Sequence, residues 1–446
     1  MELAANPSSK LTTVRMPWRW SLLLLIVFAL ASPFDLSQSG GRLTAEQDTL
    51  VSQVETGNMA RQVALLCLGV SAAVALLYRR HGRLQVNRLL GWSMLFYLGL
   101  AVASPIWAED PSLAIRRAGV LFVLFLAALA TAARLSQIRT AALAVCVCGL
   151  TLVISVVVEF VSGTFSPLDE TWRFSGVLHP VTQGWNCGLL AIASLALAGT
   201  LPRSRGRLIL LALAAFLFLV LTRSRMPFIS TILAAGVLGA FTSLRTRKLT
   251  YVLTYVLLVC TSLLWFVLFL LGRNLGKTAE SVAAMGRGDE ASSSLDTFTG
   301  RLPLWEEELN YIRIRPILGY GYNAFLDPRN LSSVSEALGW VPTSAHSGYI
   351  GTLLGLGYVG AGAFVLVLTL ALKRSISLAR GSPNAAFAAA IMIWLCCNLI
   401  LESTVITEPT FPSFICLVVL ASLAFRGNSQ SHPDSSMIRM SASSLP

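Results

Sequence analysis

Residues 299–362 hold the side chains best suited to chemistry in this 446-residue chain. A polar segment, TGRLPLWEEELNYIRIRPILGYGYNAF (299–325), lies between long apolar runs, and AHSGYIGTLLGLGYVGAG (345–362) opens the next run with a histidine at its mouth. His346 is close to water there yet tied to an apolar helix. With an unperturbed pKa near ~6.5, an imidazole so placed can take a proton from a hydroxyl at neutral pH. The bland alternative is a helix-entry histidine with one structural hydrogen bond. His179, in an LHP turn, is a second candidate, while His81 and His432 read as solvated surface residues.

Arginines supply the complementary chemistry. Arg223 and Arg225 occupy a very short connection, LTRSRMP, Arg173 precedes an apolar run in WRFSGVLHP, and Arg301 begins the TGR segment. A guanidinium's planar fork binds phosphate oxygens in pairs, so such residues suit an anionic, phosphate-bearing ligand. Single interfacial arginines also snorkel, or pair with Asp and Glu, and each of these is weighed against that use.

Long apolar elements must position these groups. Hydrophobic residues make up 55% of the chain and its mean hydropathy is +0.69, far above a soluble domain. Twelve runs approach the ~20 residues a bilayer crossing needs, at 17–36, 62–78, 89–107, 113–133, 140–161, 184–201, 207–222, 226–243, 249–271, 347–372, 384–402 and 411–425. The expected fold is an all-α, polytopic transmembrane bundle with a large loop between the ninth and tenth helices. It forms a single membrane domain over 1–446, with a lobe inserted at 272–346 and a Ser- and Pro-rich tail at 427–446 expected to be disordered. Within the lobe, 274–300 is rich in Ser, Gly, Ala and Asp and reads as flexible. An amphipathic helix is expected over 302–315, with Leu302, Trp305, Leu309 and Ile312 on one face and Pro316 as its stop.

Charge placement gives an orientation. If the segments alternate from a cytoplasmic N-terminus, the inner connections hold 20 of the 34 basic residues, against only Glu2 and Asp434 among the acids. That positive-inside bias puts both termini in the cytoplasm and the long loop outside. Residues 1–31 also resemble a signal peptide, with Ala29-Leu30-Ala31 as a cleavage site, but an uncleaved first helix is the preferred reading. The formal net charge of +12 therefore reports topology, and nucleic-acid binding is not expected. All eight cysteines fall in apolar runs without zinc-site spacing, so neither a metal cluster nor a structural disulfide is expected. Ionisable residues are scarce inside the runs. Glu159, Glu402, Arg116 and Arg117 lie near their outer ends, which favours an enzyme at the outer membrane face over a pump.

RFSGVLHP (173–180), Ser224-Arg225, TGRLPLW…RPILGYGYNAF (299–325) and His346-Ser347 with Gly357, Gly360 and Gly362 beyond resemble the motifs of the O-antigen ligase/polymerase superfamily. The wording is most similar to exopolysaccharide polymerases of the succinoglycan type. Val181 stands where an Asn often follows the His–Pro, and Ala361 stands where ligases often have Thr, which weakens the ligase reading specifically. The resemblance implies a metal-independent, inverting glycosyltransferase in the bacterial inner membrane, with no cofactor and a periplasmic active site. Its donor would be an undecaprenyl-pyrophosphate-linked glycan, and its acceptor a growing lipid-linked glycan or, in a ligase, lipid A-core. Membrane lipids, a flippase and chain-length regulators would be its partners. His346, Arg301 and Arg225 are then the catalytic candidates, and Arg173, Arg223, Gly319, Gly321, Tyr322 and Ser347 the substrate-binding ones. A flippase or exporter of lipid-linked sugars is the alternative of another class, but it calls for polar residues along a central path that these spans lack.

Overall fold

The computed structural model describes residues 18–31, 59–77, 84–167, 169, 172–246, 301–342, 344–403 and 408–427. The expected span at 249–271, the segment 274–300 and the tail beyond 427 lie outside the described residues. The helices are α1 (Trp18–Ala31), α2 (Met59–Leu77), α3 (Arg88–Ala103), α4 (Pro111–Ala132), α5 (Gln137–Val161), α6 (Pro180–Thr200), α7 (Arg205–Leu221), α8 (Arg225–Thr246), α9 (Arg301–Ile314), α10 (Pro328–Leu338), α11 (Gly348–Gly381), α12 (Ala386–Leu401) and α13 (Phe411–Ala424). Among the described residues, nine helical stretches are long and apolar enough to cross a membrane, with α13 a shorter apolar helix. The chain is thus an all-α, multi-pass membrane protein. A three-residue ladder, Leu84–Val86 antiparallel to Phe425–Gly427, ties the start of α3 to the end of α13.

Helix α6 is the hub. It packs on α5, α7 and α8, while α12 packs on α8 and α11. Apolar side chains gain little from leaving lipid for a protein interior, so close approach and shared hydrogen bonds hold such helices together. A buried polar set does this at the centre. The Trp185 indole donates to Asn398 Oδ1 (3.1 Å), Asn398 Nδ2 donates to Ser230 Oγ (2.8 Å), and the Trp394 indole donates to Thr231 Oγ1 (3.2 Å). Gly188 lets α6 come near enough, since a Cβ there would lie 2.3 Å from Thr231 Oγ1.

Helix α11 is broken at Gly357 (φ 62°, ψ −166°), and the loop that follows α9 fills the break. In a continuous helix Leu354 O would accept from Tyr358 N–H, and Gly355 O from Val359 N–H. Here Tyr320 N–H donates to Leu354 O (3.0 Å) and Gly321 N–H to Gly355 O (2.8 Å). Tyr358 N–H donates to Pro316 O (2.8 Å) and Val359 N–H to Ile317 O (3.3 Å). These four backbone groups freed by the break all find partners, as backbone polar groups withdrawn from water require. Glycines make the approach feasible: a Cβ on Gly319 (φ 64°) would sit 2.4 Å from Leu354 O, and one on Gly357 would sit 2.2 Å from Ile317 O.

Two local expectations are corrected. Helix α9 does form, one residue earlier than expected, but it buries Leu304, Glu308 and Ile312, while Leu309 is 40% exposed. The i, i+4, i+8 stripe through a glutamate was masked by the apolar residues flanking it. Helix α10 was not anticipated, although its ends are well signalled. Asp327 caps it by accepting from the Arg329 and Asn330 N–H groups, Pro328 opens it, and Gly339 in the left-handed region closes it.

Gly319→Ala should destabilise the protein by roughly 2–4 kcal/mol, because the new methyl meets backbone in a left-handed conformation. Gly362→Ala, which adds a Cβ in open space, should be neutral or slightly stabilising. Thermal unfolding in detergent compares the two.

Candidate active site

The connections at one end of the bundle gather most of the residues singled out from the sequence. The RFSG segment is fixed first. The carboxylate of Glu159, at the end of α5, accepts from Ser175 N–H (2.9 Å) and Gly176 N–H (2.6 Å). Gly176 (φ 60°) stands where a Cβ would clash with Ser155 at 2.1 Å. Arg173 is thereby aimed at the α7–α8 turn, where its Nε donates to Thr222 O (3.1 Å) and an Nη to Ser224 Oγ (3.1 Å). Ser224 in turn donates to Pro180 O (3.1 Å). Arg225 begins α8 directly after Ser224, which places it beside this knot. Arg223 is left-handed (φ 51°), and its Nη2 donates to Asp169 O (2.9 Å).

Arg301, the first residue of α9, makes an ion pair with Glu402 at 2.7 Å, just past the end of α12. Burial raises the Glu402 carboxyl to about 7, with Arg301 and then Arg173 among the groups that restrain the rise. His346 sits in front of α11 with φ 49°. Its segment is anchored by the Trp305 indole, which donates to Ala345 O (3.0 Å), and its ring centroid lies 6.4 Å from that of Trp340. Burial first, then the charges of Arg301 and His179, lower the imidazole to about 4. At neutral pH it is therefore uncharged, and its buried Nδ1 has no hydrogen-bond partner among the described residues.

Arg173, His179, Arg301 and His346 thus share one electrostatic neighbourhood with Glu402. Other sequence candidates have packing roles. Gly319 and Gly321 serve the break in α11. The Ser347 hydroxyl caps α11, accepting from Ile350 N–H at 3.5 Å. His179 caps α6, its Nδ1 accepting from Val181 N–H at 3.3 Å. Tyr322 is buried and donates its N–H to Ser104 Oγ (2.9 Å). Beside it lies a small, partly open cleft lined in part by Tyr97, Asn323, Ala345, Gly348 and Ser403. The cleft reaches the chain neighbours of both His346 and Glu402. Sequence reasoning set Glu402 at an outer helix end without giving it a role, and Arg301 more than one hundred residues away offers no local signal of their pairing.

These features define a multi-pass α-helical membrane protein with a cationic, histidine-bearing site at one end of its bundle. Residues 209–365 match the family model described as O-antigen ligase. That stretch, about a third of the chain, includes Arg225, Arg301, His346 and the break in α11. No curated protein matches the chain.

Glu402 gives a pH signature. Its folded value exceeds the ordinary 4.5, so the stability it contributes is fully present below about pH 4.5 and is lost as pH rises through about 7. The loss should be on the order of 3 kcal/mol. Unfolding midpoints measured across this range should fall with pH in the parent protein and flatten in Glu402→Gln.

Proposed function

We propose that the protein is a glycan polymerase of the extracytoplasmic membrane face. It transfers oligosaccharide repeat units from an undecaprenyl-pyrophosphate carrier to a growing lipid-linked polysaccharide. The observation that carries this reading is the uncharged imidazole of His346 beside the Arg301 guanidinium, with a cleft that reaches the neighbouring Ala345. A base and an anion clamp in contact with one substrate are what displacement of a pyrophosphate requires.

In the proposed step His346 takes the proton of the acceptor hydroxyl. The oxygen attacks the anomeric carbon, the bond from that carbon to the carrier pyrophosphate breaks, and the configuration inverts. The electron pair leaves on the pyrophosphate, where Arg225 and Arg301 meet the growing charge and Arg173 supports them through Ser224. Removing either clamp should cost roughly 2–4 kcal/mol of transition-state stabilisation, by analogy with the loss of an oxyanion-hole donor. Glu402 holds Arg301 in place. The Arg-rich outer connections and the positive-inside charge pattern support a site on the extracytoplasmic side of the inner membrane.

The wording of the family description favours one second reading, ligation onto lipid A-core. Purified protein given a lipid-pyrophosphate oligosaccharide, with and without lipid A-core, separates the two. Longer chains on the original carrier mean polymerase, and label moving to the core means ligase. His346→Ala should insert and fold yet lose at least about 100-fold in turnover. In the parent protein kcat/KM should fall as pH drops through about 4, where the imidazole gains its proton and ceases to be a base. Undiminished polymer output from His346→Ala would remove the imidazole from the mechanism.

A further inference from the structure

Glu402 occupies the place on Arg301 that a phosphate would need. Its carboxylate meets the guanidinium at 2.7 Å and is the one hydrogen-bond partner of the Arg301 side chain among the described residues. Only 7% of Glu402 is exposed. Its backbone is pinned at the end of α12, where its N–H donates to Asn398 O (2.9 Å). Asn398 belongs in turn to the buried polar set that joins α12 to α6 and α8. Anchored at its backbone and withdrawn from water, the carboxyl stays close to whatever binds Arg301.

Burial is the strongest influence on this carboxyl and favours its neutral form. Arg301, from the start of α9, and Arg173, from the RFSG segment, favour the ionised form, while Glu408, ahead of α13, opposes it. The balance stands at about 7, so near neutrality the group is about half ionised in the free protein. A pyrophosphate esterified at both ends carries one negative charge on each phosphate, and neither titrates near neutral pH. Set on Arg301, it brings like charge up to a buried carboxylate and draws away part of the cation that stabilised it. Both effects favour the neutral acid. The acid also fits better. Its carbonyl oxygen still accepts from Arg301, and its O–H can donate to a phosphate oxygen that a carboxylate would only repel.

We propose that Glu402 takes up a proton from solvent as the donor's pyrophosphate engages Arg301, and that the resulting acid donates its O–H to a phosphate oxygen. Donor binding is thereby linked to protonation. This rests on the transferase reading and deepens it, because Glu402 becomes a contact of the phosphate as well as a support for Arg301. The two neutral groups of the site have opposite needs. His346 is neutral by holding no proton and Glu402 by holding one. Their values, about 4 and about 7, leave a window between them in which both conditions are met in advance of binding. His179, the other titratable group near Arg173, is also lowered to about 4 by burial and then by Arg173, and stays uncharged through that window.

Calorimetry tests this with phytanyl methyl pyrophosphate, a diester with no sugar to transfer, and the full-length protein in phosphatidylcholine nanodiscs. Titrations in buffers of different ionisation enthalpy count the protons that accompany binding. The parent protein should take up about half a proton per diester near pH 7, approaching one near about pH 8 and almost none near about pH 5.5. Its affinity should fall about tenfold between about pH 6 and about pH 8. Glu402→Gln copies the shape of the neutral acid, and should bind with no proton uptake and with level affinity across that range. In glycan transfer the donor KM should rise with pH in the parent and stay level in the variant, a contrast that damage to the fold would not produce. Binding to the parent without proton uptake would overturn the proposal. So would uptake that persists in Glu402→Gln, which would pass the proton to His346 or Glu408. If the diester fails to bind the parent at any pH, the Arg301 clamp of the transferase reading fails as well; binding without uptake leaves that clamp standing and removes only the proton link.

Discussion

The interlock between the Pro316–Gly321 loop and the break in α11 is the constraint on which the site depends. A helix interrupted inside a bundle leaves carbonyl and amide groups that lipid cannot satisfy. Four hydrogen bonds from one short loop satisfy them, and the same loop ends the segment that begins with Arg301. The first part of α11 starts two residues after His346, with Ser347 as its cap. Backbone pairing thus fixes the arginine and the histidine in one frame, although they come from different helices. The only side chains that fit at the crossing are hydrogen atoms, which explains the glycines on both partners.

Electrostatics gives the frame its chemistry. Glu159 and Glu402 lie just where apolar helices end, and each meets fixed positive partners, backbone N–H groups for the first and Arg301 for the second. These acids orient the cationic groups at a cost in desolvation that Coulomb attraction only partly offsets. His346 is affected in the opposite sense. Burial and then neighbouring positive charge keep it neutral, which is the state a proton acceptor needs.

Much of the architecture was legible in the chain. Apolar runs gave the spans to within a few residues, as α4 (Pro111–Ala132 against the expected 113–133) and α5 (Gln137–Val161 against 140–161) illustrate. The motifs of Arg225, Arg301 and His346 were legible as helix mouths on one expected side. Three things were not legible. Glu308 on the buried face of α9 contradicts ordinary amphipathic logic, and only tertiary packing reveals it. The pairing of Arg301 with Glu402 joins distant segments. The glycines at 319 and 321 looked like turn residues near a ligand, whereas their spacing matches the break in another helix, a relation that no local pattern encodes.

His346 is one of only three non-glycine residues with positive φ among the described residues. A side chain in that region costs about 1 kcal/mol or more, and the surrounding fold has to hold it there. Glycine would sit at that position without strain but would carry no imidazole. Under the proposed mechanism, stability and activity therefore pull on this residue in opposite directions.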